Sequence, residues 1–338
     1  MTRRALFIWS ALPLLLVVLC VHLFSGISLA SLPGSMDAVL RFEAQSYEQA
    51  VLLFQRMPRA LIAAYVGSVT AASGFVLQSL ARNPLASPST MGVNAGAALF
   101  LVAGALIFDI GVVFQGVAAL VGAVIGFLSC VAVSRIAGRQ NDPRGLSLIL
   151  SGALVSMLFT GITNALLLSD PARRSDFLNW VTGNINHAYI DRLELFWWIG
   201  VLSLCTFVVL ARPLTLILFG SEKAASAGVN VPLVSRLAFF AAVLGAGSAV
   251  AVCGPIGFVG LIVPHIVRPI MGSNLVVAIP ACMITGTIVC LLADLFAREA
   301  LQPFVLNTGL VMDLLGGVVF VIIVKRFYLS PKVRGANV

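Results

Sequence analysis

Two arginines just before a long apolar segment, Arg56 and Arg59, are residues whose chemistry suits an anionic partner. A guanidinium group is planar and always charged, and it binds a carboxylate through two parallel hydrogen bonds. Arg56 and Arg59 come just before an apolar segment, so snorkelling at a membrane interface is the alternative interpretation. The sequence alone favours snorkelling for this pair.

Asp313 is a carboxylate within the last apolar segment. A charge inside hydrocarbon is costly and usually faces a partner or water, so it indicates a functional site by default. A structural pair with Arg298 or with another buried donor is an equally open interpretation. Asp313 is therefore a candidate both for a functional site and for an internal ion pair.

Motifs for covalent chemistry are missing from the sequence. There is no G-x-x-x-x-G-K-[ST] loop to cradle ATP phosphates, no H-E-x-x-H zinc motif and no nucleophile elbow. The three histidines, His22, His187 and His265, are far apart in sequence and form no cluster of metal ligands. We expect neither catalysis nor a bound cofactor or metal.

The composition places the chain in a membrane. Its 338 residues are 60% hydrophobic and 10% charged, and its mean hydropathy is +1.05. A soluble domain carries about 25% charged residues, which cover its surface. Period-2 alternation is absent, which argues against an outer-membrane barrel. A nucleic-acid partner is not expected, because no basic stripe interleaves with aromatic residues on a soluble domain.

Apolar runs near the ~20 residues that cross a bilayer as a helix recur along the whole chain. They predict an all-α membrane protein, a polytopic bundle of about ten transmembrane helices that forms a single domain over residues 1–338. The predicted spans are 5–25, 59–80, 91–108, 112–134, 145–168, 193–211, 233–253, 256–271, 277–297 and 309–326. The eighth span is short and contains Pro264, which predicts an interrupted helix that is tilted or half-buried.

The basic residues predict the orientation of the chain. With the N-terminus inside, most of the 21 lysines and arginines fall in cytoplasmic segments, as the positive-inside rule requires. This distribution predicts an even number of spans and both termini in the cytoplasm. Arg3 and Arg4 before an apolar run also resemble a signal peptide. The run is long for a signal peptide, which favours a retained first span.

Two segments carry the most specific signal in the sequence. Residues 55–96 contain Q-R-M-P-R, S-G…Q and A-R-N-P-L-A-S-P, and residues 254–268 contain G-F-V-G-L-I-V-P-H. In order and spacing these elements resemble FecCD-type permeases, the membrane subunits of type II ABC importers for ferric siderophores, haem and vitamin B12. The resemblance implies a permease of the bacterial cytoplasmic membrane. Its implied partners are an ABC ATPase dimer, a periplasmic or lipoprotein binding protein and a second permease subunit.

The resemblance also assigns a role to three arginines. In FecCD-like importers, arginines in the Q-R-M-P-R and A-D-L-F-A-R elements receive acidic residues of the binding protein. Arg56, Arg59 and Arg298 match these positions. We therefore expect these arginines to dock the binding protein at the outer face.

A second implied contact lies in the cytoplasmic segment 212–232. The family pattern for coupling to the ATPase is matched there by Glu222, Ala224 and Gly228. The segment resembles a short amphiphilic helix with Gly228 as its C-cap. The alternative is a solvated loop.

Candidates for the translocation path come from chain-breaking and polar residues. Gly254, Pro255 and Gly257 interrupt the chain after the seventh span. Broken helices at membrane depth are tolerated only where they face protein or a water-filled cavity. Asn164 and Asp313 complete this set, with polar packing as the alternative for Asn164.

The last third of the chain departs from the family pattern. Residues 274–276 are Asn-Leu-Val where D-H-R is usual, and Asp313 replaces a small residue. The departures leave the expected fold intact but open the question of cargo. A ferric siderophore is the leading expectation, followed by haem and cobalamin. An ion-coupled secondary transporter and a non-transporting scaffold are the alternatives from other classes.

Overall fold

The computed structural model describes residues 3–25, 32–136, 146–301 and 304–327, and all regular structure in these ranges is helical. The α-helices are α1 (Arg3–Phe24), α2 (Leu32–Arg41), α3 (Tyr47–Val51), α4 (Met57–Leu80), α5 (Val93–Ile107), α6 (Val112–Ile136), α7 (Leu146–Ser169), α8 (Arg174–Val181), α9 (Ile190–Leu218), α10 (Ser221–Ser226), α11 (Val231–Cys253), α12 (Val259–Met271), α13 (Leu275–Glu299) and α14 (Thr308–Phe327). A π-helical turn, Leu52–Arg56, joins α3 to α4.

Each of the ten predicted spans overlaps one helix, namely α1, α4 to α7, α9 and α11 to α14. Among the described residues, six helical segments are long and apolar enough to cross a membrane: Tyr47–Leu80, Val113–Ile136, Leu146–Ser169, His187–Leu218, Val231–Cys253 and Leu275–Glu299. Shorter apolar helices are Ser10–Phe24, Val93–Ile107, Val259–Met271 and Thr308–Ile322. The chain is a polytopic all-α membrane protein, and the count of ten crossings stays a prediction.

Helix α4 is the centre of the bundle. Most of its residues are buried, and it packs against α9, α11, α12 and α13. Gly67 lies directly against the backbone of Gly286 in α13, and Gly74 lies against Gly260 in α12. Close backbone approach is how helices associate in lipid, where van der Waals packing replaces the hydrophobic drive. Small residues in α4 therefore decide which helices surround it.

A second close-packed unit consists of α5, α6 and α7. Gly96 in α5 lies against Gly122 in α6, so these two backbones also meet directly. Gly152 brings α7 against the carbonyl of Thr90, just before α5. The rest of α7 is little buried, and Met157 is 74% exposed. One face of this unit is thus free of contacts within the described chain.

The chain breaks at residues 254–258, between α11 and α12, as the sequence predicts. Gly254 has φ of +81°, a left-handed conformation that favours glycine. Any side chain at this position would also overlap the carbonyl of Trp180. The break is therefore specified both by backbone conformation and by the close approach of a second segment.

The predicted interruption at Pro264 is wrong, because α12 is continuous from Val259 to Met271. A proline removes the hydrogen bond to the carbonyl four residues earlier, here that of Gly260. The side-chain amide of Gln78 in α4 donates to this carbonyl at 3.4 Å and to that of Leu261 at 3.3 Å. Helix α4 thus supplies the donor that the proline lacks.

We expect Gly67→Ala to lower the free energy of unfolding by about 1–3 kcal/mol. The added methyl group would overlap the carbonyl of Gly286 and force α4 away from α13. The measurement is thermal unfolding of the purified permease in detergent.

Gly161→Ala in α7 is the matched control, because a methyl group there would meet no atom within 4 Å. Alanine is the better helix former by about 1 kcal/mol, so this variant should be as stable as the wild type or slightly more stable. Equal melting temperatures for the two variants would show that the α4–α13 contact does not limit stability.

Candidate docking and translocation sites

Asp294 is the centre of a buried ionic cluster in the last turns of α13. Its carboxylate is fully buried, with Arg59 Nη2 2.6 Å from Oδ1 and Arg59 Nε 3.2 Å from Oδ2. His22 Nε2 lies 2.9 Å from Oδ2, and the Thr308 hydroxyl donates to Oδ1 at 3.0 Å. One carboxylate therefore connects α1, α4, α13 and α14.

Arg298 and Arg56 bind the C-terminal end of α1. Arg298 Nη2 donates to the carbonyl of His22 and Arg56 Nη1 to the carbonyl of Leu23, each at 2.9 Å. The last four carbonyls of a helix have no partner within it, and cations stabilise that end of the helix dipole. These arginines thus supply donors that α1 cannot supply itself.

The structure brings the three predicted docking arginines together but gives each an internal contact. Arg59 is 7% exposed and holds Asp294 through two nitrogens. Arg56 is half-buried, and the Arg298 side chain is 12% exposed, so each keeps part of its surface open. Arg59 would have to leave Asp294 to reach an external carboxylate, whereas Arg56 would only give up a backbone carbonyl. Docking by these arginines stays a prediction.

Sequence reasoning missed His22, Asp294 and Thr308 as members of this cluster. Two of these three residues, Asp294 and His22, carry a signal in the sequence. Asp294 and Arg298 are four residues apart, a spacing that places oppositely charged side chains on one face of a helix. His22 is an ionisable residue within the first apolar segment, where such a residue indicates a buried partner. The identity of that partner, 272 positions away, depends on the tertiary fold.

Asp313 forms no ion pair or hydrogen bond with any residue that the structure describes. The predicted alternative of a pair with Arg298 is wrong, because Arg298 binds the carbonyl of His22 and lies 3.8 Å from Asp294. The Asp313 carboxylate is exposed, and its Oδ1 lies against Gly257 in the chain break. It remains a candidate for the translocation path.

The segment that follows α8 packs against the chain break and forms a hydrogen bond with it. The backbone N–H of Asn184 donates to the carbonyl of Cys253 at 2.9 Å, and Gly183 lies against the carbonyl of Pro255. The Gly309 amide, at the start of α14, donates to the carbonyl of Gly183 at 2.8 Å. The segments around Gly183, the break and the start of α14 therefore form one junction.

The predicted path residues gather around this junction. Asn164 and Pro255 line the same cavity, which has a volume of about 250 Å³. Gly254 lines a smaller neighbouring cavity of about 10 Å³, and Gly257 contacts Asp313. The five residues thus lie around one region, although their part in transport stays a prediction.

Helix α10 (Ser221–Ser226) is the short helix predicted for the segment between α9 and α11. Glu222 is exposed, whereas Ala224 is fully buried and fixes the helix to the bundle. The C-cap is Ala227, and the predicted Gly228 follows one residue later with φ of +83°, the left-handed position where glycine commonly ends a helix. Contact of this helix with an ATPase stays a prediction.

We expect Asp294→Ala to lower the free energy of unfolding by about 3–5 kcal/mol, because Arg59 would stay buried without its counter-charge. The double substitution Arg59→Met with Asp294→Leu should recover much of this loss. Apolar residues of similar volume often replace a buried ion pair at little cost. Thermal unfolding in detergent measures both effects.

Asp109→Asn is the control, because Asp109 also pairs with an arginine, Arg173, at 2.8 Å, but with 82% and 47% of the two side chains exposed. An exposed pair contributes about 0.2–1 kcal/mol. If Asp294→Ala were as mild as Asp109→Asn, the buried cluster would not be a main source of stability.

Comparisons of this chain with protein families, with curated proteins and with solved structures agree with one another. The family model of the FecCD transport family matches residues 14–326. A protein of Bacillus subtilis (strain 168) named as a probable siderophore transport system permease is 31% identical over 316 residues, which cover 93% of each chain. The hemin transport system permease of Yersinia pestis is 32% identical over 318 residues, covering 92% of this chain and 94% of that protein.

A solved structure of a metal-chelate type ABC transporter in an inward-facing conformation has the same fold. It superposes with a TM-score of 0.78 at 25% identity, covering 96% of this chain and 100% of that one. Sequence and fold therefore agree over almost the whole chain. The chain belongs to the FecCD transport family and is a permease subunit of a metal-chelate-type ABC importer, not an enzyme.

Proposed function

We propose that this permease imports a ferric siderophore across the bacterial cytoplasmic membrane. The observation that carries the proposal is the similarity to the Bacillus subtilis siderophore permease, which extends over 93% of both chains. The hemin permease is as similar, so haem is the second candidate, and cobalamin is the third. The expected alternatives of an ion-coupled transporter and a scaffold are set aside by membership of an ABC importer family.

In this proposal the permease is one half of a membrane pair. It crosses the membrane ten times, keeps both termini in the cytoplasm and packs beside a second permease subunit, identical or different. The open face of α7 supports such a neighbour, since Met157 and Leu158 are 74% and 60% exposed. The path would run between the two subunits, past Asn164, the break at Gly254, Pro255 and Gly257, and Asp313.

At the outer face, Arg56, Arg59 and Arg298 receive acidic residues of a substrate-binding protein. Their convergence at the end of α1 supports this, because one docking carboxylate could reach more than one guanidinium group. Arg56 is the best-placed member, since its partner is a backbone carbonyl and not a carboxylate. Charge pairing here would also steer the binding protein to the correct face.

At the cytoplasmic face, α10 contacts the ATPase dimer that drives transport. The exposed Glu222 next to the anchored Ala224 supports this role, because a short helix that is fixed to α9 can transmit a displacement. The helix ends at Ser226, and the left-handed backbone of Gly228 then turns the chain toward the start of α11.

The cargo is tested by uptake into an iron-starved strain that lacks the gene. We expect wild-type permease to restore accumulation of radioiron carried by hydroxamate, catecholate or citrate chelates, and only when the ATPase subunit is present. Haem and labelled cobalamin are measured in parallel. Accumulation of haem or cobalamin alone would overturn the siderophore proposal while leaving the permease assignment intact.

The two partner contacts are tested together with charge reversals on opposite faces. We expect Arg56→Glu to weaken binding-protein affinity about tenfold and to leave basal ATP hydrolysis unchanged. We expect Glu222→Arg to lose co-purifying ATPase while keeping binding-protein affinity. Binding to immobilised permease and ATPase co-purification are the two measurements.

Arg174→Glu and Glu43→Arg are the matched controls, because both residues are exposed and lie outside the proposed contacts. Each should leave both measurements at wild-type values. An Arg56→Glu permease with normal affinity would contradict docking at α1, and a Glu222→Arg permease with a full complement of ATPase would contradict coupling through α10.

A further inference from the structure

A polar bay lies between α5, α7 and the break before α12. Its cavity has a volume of about 250 Å³. The polar residues that line the bay are all uncharged: Ser89, Asn94, Ser156, Thr160, Thr163 and Asn164. The remaining lining residues are alanine, valine and proline. Four of the six polar side chains belong to α7, at spacings that place them on one helical face.

Three of these side chains have unused hydrogen-bonding groups. Thr163 donates to the carbonyl of Phe159 at 2.8 Å, which satisfies its hydroxyl within α7. Asn94, Thr160 and Asn164 form no hydrogen bond with any residue that the structure describes. An amide side chain carries two donors and a carbonyl acceptor. The bay therefore offers donors and acceptors without charge.

The position of these groups along α7 makes their lack of partners costly. Helix α7 has 24 residues, and at about 1.5 Å per residue its middle falls near Met157. Thr160 is therefore about 4 Å, and Asn164 about 10 Å, from the middle of a membrane-spanning helix. A polar side chain at that depth normally faces a partner or a water-filled cavity. Lipid cannot satisfy an amide, so water, the cargo or a polar group of the neighbouring subunit must supply the missing hydrogen bonds in the bay.

We propose that the polar bay is a subsite for the cargo, which hydrogen-bonds the uncharged carbonyl, amide or hydroxyl groups at the edge of a metal chelate as it passes. The inference rests on the proposed function and names the chemistry of its path. A volume of 250 Å³ corresponds to about eight waters at about 30 Å³ each. The bay thus takes one arm of a chelate, while the metal centre stays in the main path.

The absence of charge among the lining residues sets the specificity of this subsite. A free carboxylate on the cargo would enter the bay without a counter-charge, whereas a hydroxamate or amide arm would exchange hydrogen bonds with water for hydrogen bonds with Asn94 and Asn164. The subsite therefore favours chelates with neutral arms over chelates with anionic ones.

The test is uptake of a radioiron-labelled ferric trihydroxamate by liposomes that contain the permease, its ATPase and its binding protein. We expect Asn164→Leu and Thr160→Val each to lower the uptake rate about three- to tenfold, the effect of one or two neutral hydrogen bonds, with ATP hydrolysis unchanged. Uptake of ferric citrate should change less. Wild-type rates for both variants would overturn the proposal.

Thr206→Val is the matched control for Thr160→Val. Thr206 lines a different, largely apolar cavity between α6, α9 and α11, and its hydroxyl donates to the carbonyl of Leu202 at 2.8 Å. The control should transport the trihydroxamate at the wild-type rate. If Asn164→Leu instead separated the permease pair in detergent, the bay would be a subunit contact and the proposal would be wrong.

A second measurement does not depend on the cargo. Thr160→Cys, Asn164→Cys and Thr206→Cys are made in a background in which the exposed Cys20 and Cys205 are replaced by serine. A charged, membrane-impermeant methanethiosulfonate should modify the thiols at 160 and 164 and leave the thiol at 206 unmodified. If wild-type permease moves no iron chelate but this pattern holds, the cargo proposal fails and the hydrated bay stands. Unreactive thiols at both bay positions would overturn the bay itself.

Discussion

The buried carboxylate of Asp294 holds one end of the bundle together, and the remaining architecture depends on that contact. Lipid is as apolar as the helices, so burial of apolar surface does little to attach a peripheral helix. Asp294 provides the attachment instead, because Arg59, His22 and Thr308 all bind it from other helices. A carboxylate without water needs this number of partners. The cost of breaking the set makes the arrangement of α1, α4, α13 and α14 specific.

Close backbone contacts between glycines also hold the helices together, in addition to the ionic cluster. Gly67 and Gly286 bring α4 and α13 together along their middle, while the Asp294 cluster joins them near one end. Close backbone contact also explains the break between α11 and α12. Gly254 has a positive φ and lies against the carbonyl of Trp180, and a side chain at this position would be incompatible with both. Gln78 then allows α12 to continue through Pro264. The chain break and the backbone at Pro264 thus each have a named partner, as a medium without water requires.

These constraints separate the rigid parts of the permease from the parts available for function. The interior around α4 is packed and closed, whereas α7, α10 and α14 expose Asn164, Glu222 and Asp313, which the path and ATPase proposals use. Asp313 and the polar bay lie at the edge of the junction formed by the break, Gly183 and the start of α14. A displacement of α14 would therefore reach both the Asp294 cluster, through Thr308, and the chain break, through Gly309. The proposed docking site and the proposed path are therefore linked by contacts of one helix.

The sequence by itself determined the fold class, the approximate position of every apolar helix, the break at Gly254 and the family, because hydropathy and short motifs are local properties. Through the family resemblance it also identified Arg56, Arg59 and Arg298 as candidate docking residues. Only the tertiary structure decided that Arg59 is buried against Asp294, that His22 joins them, and that Asp313 has no bond to Arg298. Gln78 likewise gained its role at Pro264 only when α4 and α12 met. Partners that are hundreds of positions apart are chosen by packing between helices, and no local pattern encodes which donor will face which acceptor.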